Sequence, residues 1–298
     1  MAKSEEDRFH SGYVAIIGKP NVGKSTLMNC LLNRKLAIVS PKPQTTRHRI
    51  LGILNGENYQ IILLDTPGMI HPKYPLQQSM VKTAKSTINE ADLILMMIDP
   101  NSITPEDEEI ITLLGETSKP KFLIINKTDT IKKDVLLPII DKYQRRDIFK
   151  EIVPISALKA DGIELLISLI LKYISEGKPF YPPDMITDAA ERFFVSEIIR
   201  EQIFLKYGEE IPYSTAVFIE TFKERPGRKD YIRAVIYVER DSQKGIIIGK
   251  RGEALKRVGI RAREEIERFL GRPVFLELEV SVSKRWRKNF EMIKRLGY

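Results

Sequence analysis

The stretch that most constrains this chain is Tyr13 to Leu27, YVAIIGKPNVGKSTL, where an apolar run meets a glycine-bounded loop and continues into a helical pattern. It reads as strand, phosphate loop, helix. Gly18, Gly23, Lys24 and Ser25 stand at the G-x-x-x-x-G-K-[ST] spacing, in which small residues let successive backbone N–H groups curl around phosphate oxygens at a helix N-terminus. The candidate cradle comprises Gly18, Lys19, Pro20, Asn21, Val22, Gly23, Lys24, Ser25 and Thr26. Lys24 would reach the β- and γ-phosphates and Ser25 would hold Mg²⁺. A glycine-rich turn that merely precedes a helix is the plain alternative, but strand and helix both sit where phosphate binding needs them.

Further short apolar runs follow at Ile50 to Leu54, Asn58 to Leu64, Leu93 to Asp99, Lys121 to Asn126 and Glu151 to Ile155, interleaved with helical patterns such as Pro105 to Thr117 and Asp161 to Ser175. Alternation of this kind predicts an α/β fold, a mostly parallel sheet with helices on both faces. Asn55-Gly56 between the second and third runs predicts a hairpin and therefore one antiparallel edge. Ligands on such sheets bind at the C-terminal ends of the strands, and the candidate motifs all fall there.

Asp65-Thr66-Pro67-Gly68 ends the third strand: Asp65 would hold Mg²⁺ through a water, and the Gly68 N–H could meet the γ-phosphate. Between helix and hairpin lies an irregular segment, Leu36 to Arg49, too long for a turn and rich in basic residues, which reads as a mobile loop near the phosphates. Within it Thr46 is the candidate second hydroxyl on Mg²⁺. Asn126-Lys127-Thr128-Asp129 reads the base. The Asp129 carboxylate can accept from N1–H and the 2-amino group of guanine, whereas adenine lacks that amino group and presents an acceptor at N1. Buried hydrogen bonds of this kind reject an analogue lacking them by on the order of 10⁴ or more. Lys127 would lie over the base, and in Ser156-Ala157-Leu158 the Ala157 N–H would meet O6. These motifs define a GTP/GDP site in which Lys24, Thr46, Gly68 and Asn21 are the candidates for work at the γ-phosphate.

In this order the motifs resemble a translation-factor-class GTPase domain over roughly the first 175 residues, and Pro43 to Arg49, PQTTRHR, resembles the Era-type GTPases. Where Ras-like GTPases place a water-orienting glutamine after Asp-x-x-Gly, this chain has Met69, as the Era-type resemblance implies. Met69 cannot polarise water, so hydrolysis must be slow or assisted by another group. Asn21 matches the asparagine that helps bind a monovalent cation in potassium-dependent relatives, so K⁺ is a candidate cofactor beside Mg²⁺. That Asn21 only pins its loop stays equally open.

At 298 residues the chain exceeds one typical domain. Three prolines and a glycine interrupt all periodicity between Ser175 and Asp184. The expected division is a GTPase domain over 1–176, a linker over 177–187 and a second domain over 188–298. The second domain opens with a helical pattern from Asp188 to Tyr207, with Asp188 and Glu191 placed like a capping pair. Strand-like runs follow at Ser214 to Phe222 and Tyr231 to Glu239, then a short apolar helix, Gly249-Lys250-Arg251-Gly252, a long helix over Glu253 to Leu270 and a strand over Val274 to Ser281. The order helix, strand, strand, helix, helix, strand resembles an α+β type II KH domain. Two glycines admit a sugar-phosphate backbone that side chains would hold away, and Lys250 and Arg251 supply charge. Ile246, Ile247 and Ile248 are expected on the groove floor, with Lys256 and Arg257 tracking phosphate.

Charge supports a polyanionic partner. The net charge of +8 is matched by the 13 Lys/Arg against 5 Asp/Glu between Lys223 and Arg263 alone. The basic tail, Lys284 to Phe290, reads as a helix with Trp286 docked on the domain. The Era-type resemblance implies a bacterial assembly factor that binds near the 3′ end of 16S ribosomal RNA in the small ribosomal subunit and cycles with GTP. A metabolic P-loop ATPase or kinase with a basic accessory domain is the competing enzyme class, disfavoured by Asp129.

The single cysteine, Cys30, excludes a disulfide framework and fits a reducing cytoplasm; it is expected as a small buried hydrophobe. Glu5, Glu6 and Asp7 make the N-terminus unlike a signal peptide, and no apolar run approaches bilayer length. A monomer is expected, with peripheral contact to the inner face of the cell membrane a second use of the basic tail. His10, His48 and His71 show no metal spacing.

Overall fold

The structure, a computed structural model, describes residues 8–298; Glu5, Glu6 and Asp7 lie outside the described residues. Its contacts divide into two compact units, one of residues 8–71 and 80–188 and one of Pro72–Ser79 with Ala189–Tyr298.

In the first unit the apolar runs become β1 (His10–Gly18), β2 (Ile50–Asn55), β3 (Tyr59–Asp65), β4 (Leu93–Ile98), β5 (Lys121–Ile125) and β6 (Glu151–Pro154). The helices are α1 (Lys24–Leu31), α2 (Pro75–Glu90, its first residues through Ser79 counted with the second unit), α3 (Pro105–Gly115), α4 (Lys133–Gln144) and α5 (Ile163–Tyr173). The six strands lie in the order β2-β3-β1-β4-β5-β6. All neighbours are parallel except β2 and β3, whose antiparallel pairing is the predicted hairpin at the predicted edge. Every residue of β4 is buried, as expected of a strand covered on both faces. On one face Ala15, Ile17, Ile94, Met96 and Leu123 pack against Ala84 and Ile88 of α2, Ile110 and Leu114 of α3 and Tyr143 of α4. The strands' C-terminal ends therefore bring Gly18, Asp65, Asp99 and Asn126 to one edge of the sheet.

The proline-rich segment does not run free. Gln60 Oε1 accepts from Phe180 N (2.7 Å) and Tyr181 N (2.9 Å), Ile53 N donates to Ile186 O (2.8 Å), and Thr187 Oγ1 donates to Leu51 O (2.7 Å). The segment expected to link two domains thus lies along β2 and β3, where its unpaired backbone groups find partners. Cys30 is only half-buried, and burial pushes its thiol above the usual range.

The second unit is built from α6 (Glu191–Lys206), α7 (Ile211–Ser214), β7 (Ala216–Lys223), β8 (Asp230–Val238), α8 (Asp241–Ile248), α9 (Glu253–Leu270), β9 (Val274–Val282) and α10 (Phe290–Arg295). Its three strands lie in the order β7-β8-β9, with β7 antiparallel and β9 parallel to β8. Val195, Ile199 and Ile203 of α6 and Val258, Ala262 and Ile266 of α9 pack with Ile232, Ala234, Ile236 and Val274 in one core.

Two local expectations are corrected. The N-cap of α6 is Ala190 with no side-chain cap, because Glu191 pairs instead with Arg272, which also donates to Asp230 (2.6 Å). The tail is not one helix. Arg285 takes a left-handed φ of 54°, a single 3-10 turn spans Trp286–Lys288, and α10 starts afresh behind Asn289, whose side chain accepts from Met292 N at 3.1 Å. Trp286 is docked as expected: it is fully buried, and its Nε1 donates to Ser214 O at 2.7 Å.

Candidate nucleotide and RNA sites

In the first unit the turn from β1 to α1 requires its glycines. Gly18 (φ 152°) would place a Cβ 2.5 Å from Met97 O, and Gly23 (φ 103°) would place one 2.2 Å from Asn126 Nδ2. Lys24 is buried at the base of the loop, donating to Lys19 O (2.7 Å) and Gly18 O (3.1 Å). Burial lowers its ammonium to about 8, opposed by Asp65. Lys19 ties the loop to the start of α3 through Ser102 O, Thr104 Oγ1 and the buried Asp107 carboxylate, the last at 2.8 Å.

The three side chains expected to hold Mg²⁺ lie together. Ser25 Oγ lies 2.8 Å from Thr46 Oγ1 and donates to Asp65 Oδ2 at 2.7 Å. Asp65 is fully buried, and burial pushes its carboxyl up to about 6 against the pull of Lys24 and Ser25. Its Oδ1 has no partner among the described residues. Two hydroxyls and an orphaned carboxylate oxygen form a hard donor set that suits Mg²⁺ completed by phosphates and water. Among the described residues no group of three or more His, Cys, Asp or Glu is placed to hold a metal alone.

Gly68 closes onto the loop, where a Cβ would lie 2.6 Å from Pro20 N, and Met69 N donates to Gly18 O at 3.2 Å. The Met69 side chain packs into the core with Ala15 and Ile17, so it is turned away from the phosphates as well as chemically inert toward water. Thr66 is structural: buried, with its hydroxyl on Ile16 O at 2.8 Å. Val22 is likewise buried. The cavity beside the loop, about 360 Å³, is lined by Pro20, Asn21, Gly23, Lys24, Ser25, Thr26, Thr46, Gly68 and Lys127. Ile38, Val39, Ser40 and Pro41 also line it, none of which carried a motif by which the sequence could single them out.

At the base-reading end, Asn126 Nδ2 donates to Val22 O (2.8 Å) and its Oδ1 accepts from Ala157 N (2.9 Å). Asn126 thus locks the phosphate loop to the Ser156-Ala157-Leu158 turn. The Ala157 N–H expected at O6 is engaged by this lock. Lys127, at a left-handed φ of 61°, extends its Nζ to Asn21 O (2.8 Å) and Asp99 Oδ2 (2.7 Å), a partner with no motif to announce it. Asp129 is exposed, its Oδ1 accepting from Ser156 Oγ at 2.6 Å, while Leu158 is exposed beside the same turn. Asn21 Nδ2 donates to Pro41 O at 2.8 Å.

In the second unit, Gly249 (φ 71°) and Gly252 (φ 79°) bracket a tight turn between α8 and α9. A Cβ on Gly249 would lie 2.4 Å from the Ala254 Cβ. Lys250 and Arg251 are exposed on this turn. Behind it a groove of about 390 Å³ runs between α9 and β9, lined by Gly252, Leu255, Lys256, Gly259, Ile260, Arg263, Leu276 and Leu278. Leu276 and Leu278 take the floor that the isoleucines were expected to supply. Ile247 is fully buried in the core and Ile248 packs against it, while Ile246 is 51 % exposed. Arg257 is exposed but does not line the groove. The spacing Leu255, Gly259, Ile260 and Arg263 along α9 is the helical stripe by which this wall could have been found.

A nucleotide-binding α/β unit with a hard-metal donor set, joined on one chain to an α+β unit with a G-x-x-G turn above an apolar groove, defines a KH-containing GTPase. The family model described as 50S ribosome-binding GTPase matches residues 13–127, and that of the KH domain matches 210–287. The chain is 49 % identical to GTPase Era of Syntrophus aciditrophicus over 97 % of its length and 95 % of the relative's. It is 48 % identical to GTPase Era of Lactobacillus helveticus over 99 % and 98 %. Among solved structures it is similar to Aquifex aeolicus Era bound to GDP·AlF₄⁻ (46 % identity, TM-score 0.94) and to Era in complex with MgGDPNP and nucleotides 1506–1542 of 16S ribosomal RNA (47 %, TM-score 0.95). In both, 97 % of this chain and 99 % of the other are covered. The chain belongs to the Era family of GTPases. No helix among the described residues is long and apolar enough to cross a membrane.

Proposed function

We propose that the chain hydrolyses GTP to control its grip on the 3′ region of 16S ribosomal RNA, acting in the cytoplasm as an assembly factor for the small ribosomal subunit. The observation that carries this reading is the pairing, on one chain, of the Ser25–Thr46–Asp65 cluster with the Gly249–Gly252 turn above its groove. A relative solved in complex with both MgGDPNP and that RNA supports it.

GTP binds with its phosphates in the loop amides and its guanine edge on Asp129, while Asn126 keeps those two ends of the site in register. Ser25 and Thr46 would hold Mg²⁺, with Asp65 accepting from a water on it, and the ion would supply charge neutralisation at the β- and γ-phosphates. Lys24 gives up its two carbonyl partners for phosphate oxygens, and the Gly68 N–H faces the γ-phosphate as a water attacks in line. Departure of that phosphate removes what holds Thr46 and Gly68, and both loops relax. In the RNA unit, unpaired bases lie in the groove over Leu276 and Leu278 while Lys250, Arg251 and Lys256 meet backbone phosphates.

K⁺ would take the place that a glutamine or arginine fills in other GTPases. Asn21 Nδ2 is spent on Pro41 O, which pins the loop, and Asn21 Oδ1 remains the atom that a monovalent cation would use. Single-turnover hydrolysis measured in K⁺ and again in Na⁺ tests the cation: equal rates would remove it from the mechanism. Measuring affinity for 1506–1542 RNA with non-hydrolysable GTP analogue and with GDP tests the whole reading. A difference is expected, since coupled sites shift one another's affinity, typically by a factor of about 5 to 150; equal affinities would overturn control by the nucleotide.

A further inference from the structure

The cavity of about 570 Å³ in the second unit, away from the G-x-x-G turn, is lined by Arg240, Lys284, Arg285, Arg287 and Lys288, with Glu239, Asp241 and the ring of Tyr74. Five of its walls are cationic and two anionic, and one of the two is already neutralised: Arg287 Nη2 donates to Glu239 Oε2 at 2.5 Å. The same guanidinium stacks over Tyr74, 5.1 Å from the ring centroid, and its Nε is buried with no partner among the described residues. Lys284, Arg285 and Lys288 have no carboxylate partner among the described residues. The left-handed Arg285 breaks the tail here, which keeps these side chains around one concavity instead of spreading them along a helix.

We infer that this cavity is a second RNA site, which takes a backbone phosphate of the strand whose bases occupy the α9–β9 groove. The inference rests on the RNA-binding reading above. Its geometry follows from α8, which starts beside the cavity at Asp241 and ends at Ile248: eight helical residues place the G-x-x-G turn at the mouth of the groove about 12 Å from the cavity's edge along the helix axis. A KH groove clamps about four nucleotides, so a longer RNA leaves phosphates to be met outside it, and this cavity lies one short helix away. Shape separates RNA from an anionic bilayer as occupant. Both are drawn by positive charge, but a concavity walled by an aromatic ring, with a donor buried in it, suits a phosphate that projects into it and not a flat headgroup layer.

The test uses the full chain and three variants. Lys284→Ala/Lys288→Ala removes two charges that hold nothing in the fold. It should weaken binding of 1506–1542 RNA about tenfold at low salt and make the slope of log K against log salt less negative by roughly 0.7, the share of one single-strand phosphate. Affinity for an oligonucleotide of about five residues, which fills only the groove, should stay unchanged. Lys250→Ala/Arg251→Ala should weaken both probes. Asp241→Asn, which removes the one anionic wall that is not neutralised, should tighten the long RNA, a gain that unfolding cannot mimic. Unchanged affinity and salt slope for the long RNA in the Lys284/Lys288 variant would overturn the inference. Loss of sedimentation with phosphatidylglycerol vesicles in that variant, with RNA binding intact, would assign the cavity to a membrane instead. Absence of RNA binding by the wild-type chain would instead refute the function proposed above.

Discussion

Replacing Asp129 with asparagine tests the base recognition proposed for it apart from everything else the site would do. The residue sits in a 3-10 turn, Thr128–Thr130, fixed by Thr128 N on Ile155 O (3.1 Å), and its Oδ1 accepts from Ser156 Oγ at 2.6 Å. Asparagine can keep the Ser156 contact through its own Oδ1. What changes is the other atom: Nδ2 is a donor where a carboxylate oxygen stood, and guanine presents donors at N1–H and the 2-amino group. Two hydrogen bonds to a charged acceptor, at about 1.5–3 kcal/mol each, are lost, which gives about 3–6 kcal/mol or roughly 10²- to 10⁴-fold in affinity. Because Asp129 is exposed, water competes for it before binding, and the lower half of that range is expected. Xanthine carries a carbonyl in place of the 2-amino group, so Nδ2 finds an acceptor and the variant should gain affinity for XDP. Calorimetric titration with GDP and XDP, alongside a thermal melt to establish an intact fold, reads both effects. GDP affinity within threefold of wild type by the variant, with an unchanged melt, would refute the assignment of Asp129 to the guanine edge.

Thr46→Ala should weaken binding of a GTP analogue by about tenfold, as loss of one oxygen ligand or hydrogen bond implies, and leave GDP unaffected; equal losses for both would show that Thr46 does not sense the γ-phosphate. Gly249→Val forces a branched side chain onto a φ of 71° and into Ala254, so RNA binding should fall steeply in filter retention while single-turnover GTP hydrolysis without RNA stays at the wild-type rate. Trp286→Ala empties a fully buried site and orphans Ser214 O, which should cost about 3–5 kcal/mol and lower the melting temperature of the second unit, followed by differential scanning calorimetry. Chelation of Mg²⁺ should weaken wild-type nucleotide affinity but change that of a Ser25→Ala variant far less, because the ion has already lost its hydroxyl ligand there.

Local chemistry decided much of this protein before any folding was known. The phosphate loop, Asp65, the Asn126-to-Asp129 motif and the Gly249–Gly252 turn each need particular residue types at fixed spacing, and such short-range requirements stand in the sequence itself. The same holds for the hairpin edge, set by Asn55-Gly56, and for the runs of β-branched and aliphatic residues that became buried strands. Contacts between residues far apart in the chain were decided only by the tertiary structure. Prolines at 179, 182 and 183 suggest a free linker because they break periodicity, yet Gln60, more than a hundred residues earlier, captures that segment's amides. Glu191 has the spacing of a cap but meets Arg272 across the unit, and a long-range ion pair outweighs a local one. Ile246, Ile247 and Ile248 are equivalent as letters; the packing of α8 alone buries Ile247, exposes Ile246 and leaves the groove floor to β9. Asp99 and the basic cavity beside Tyr74 carry no motif, because side chains brought together by the fold have no reason to be neighbours in the chain.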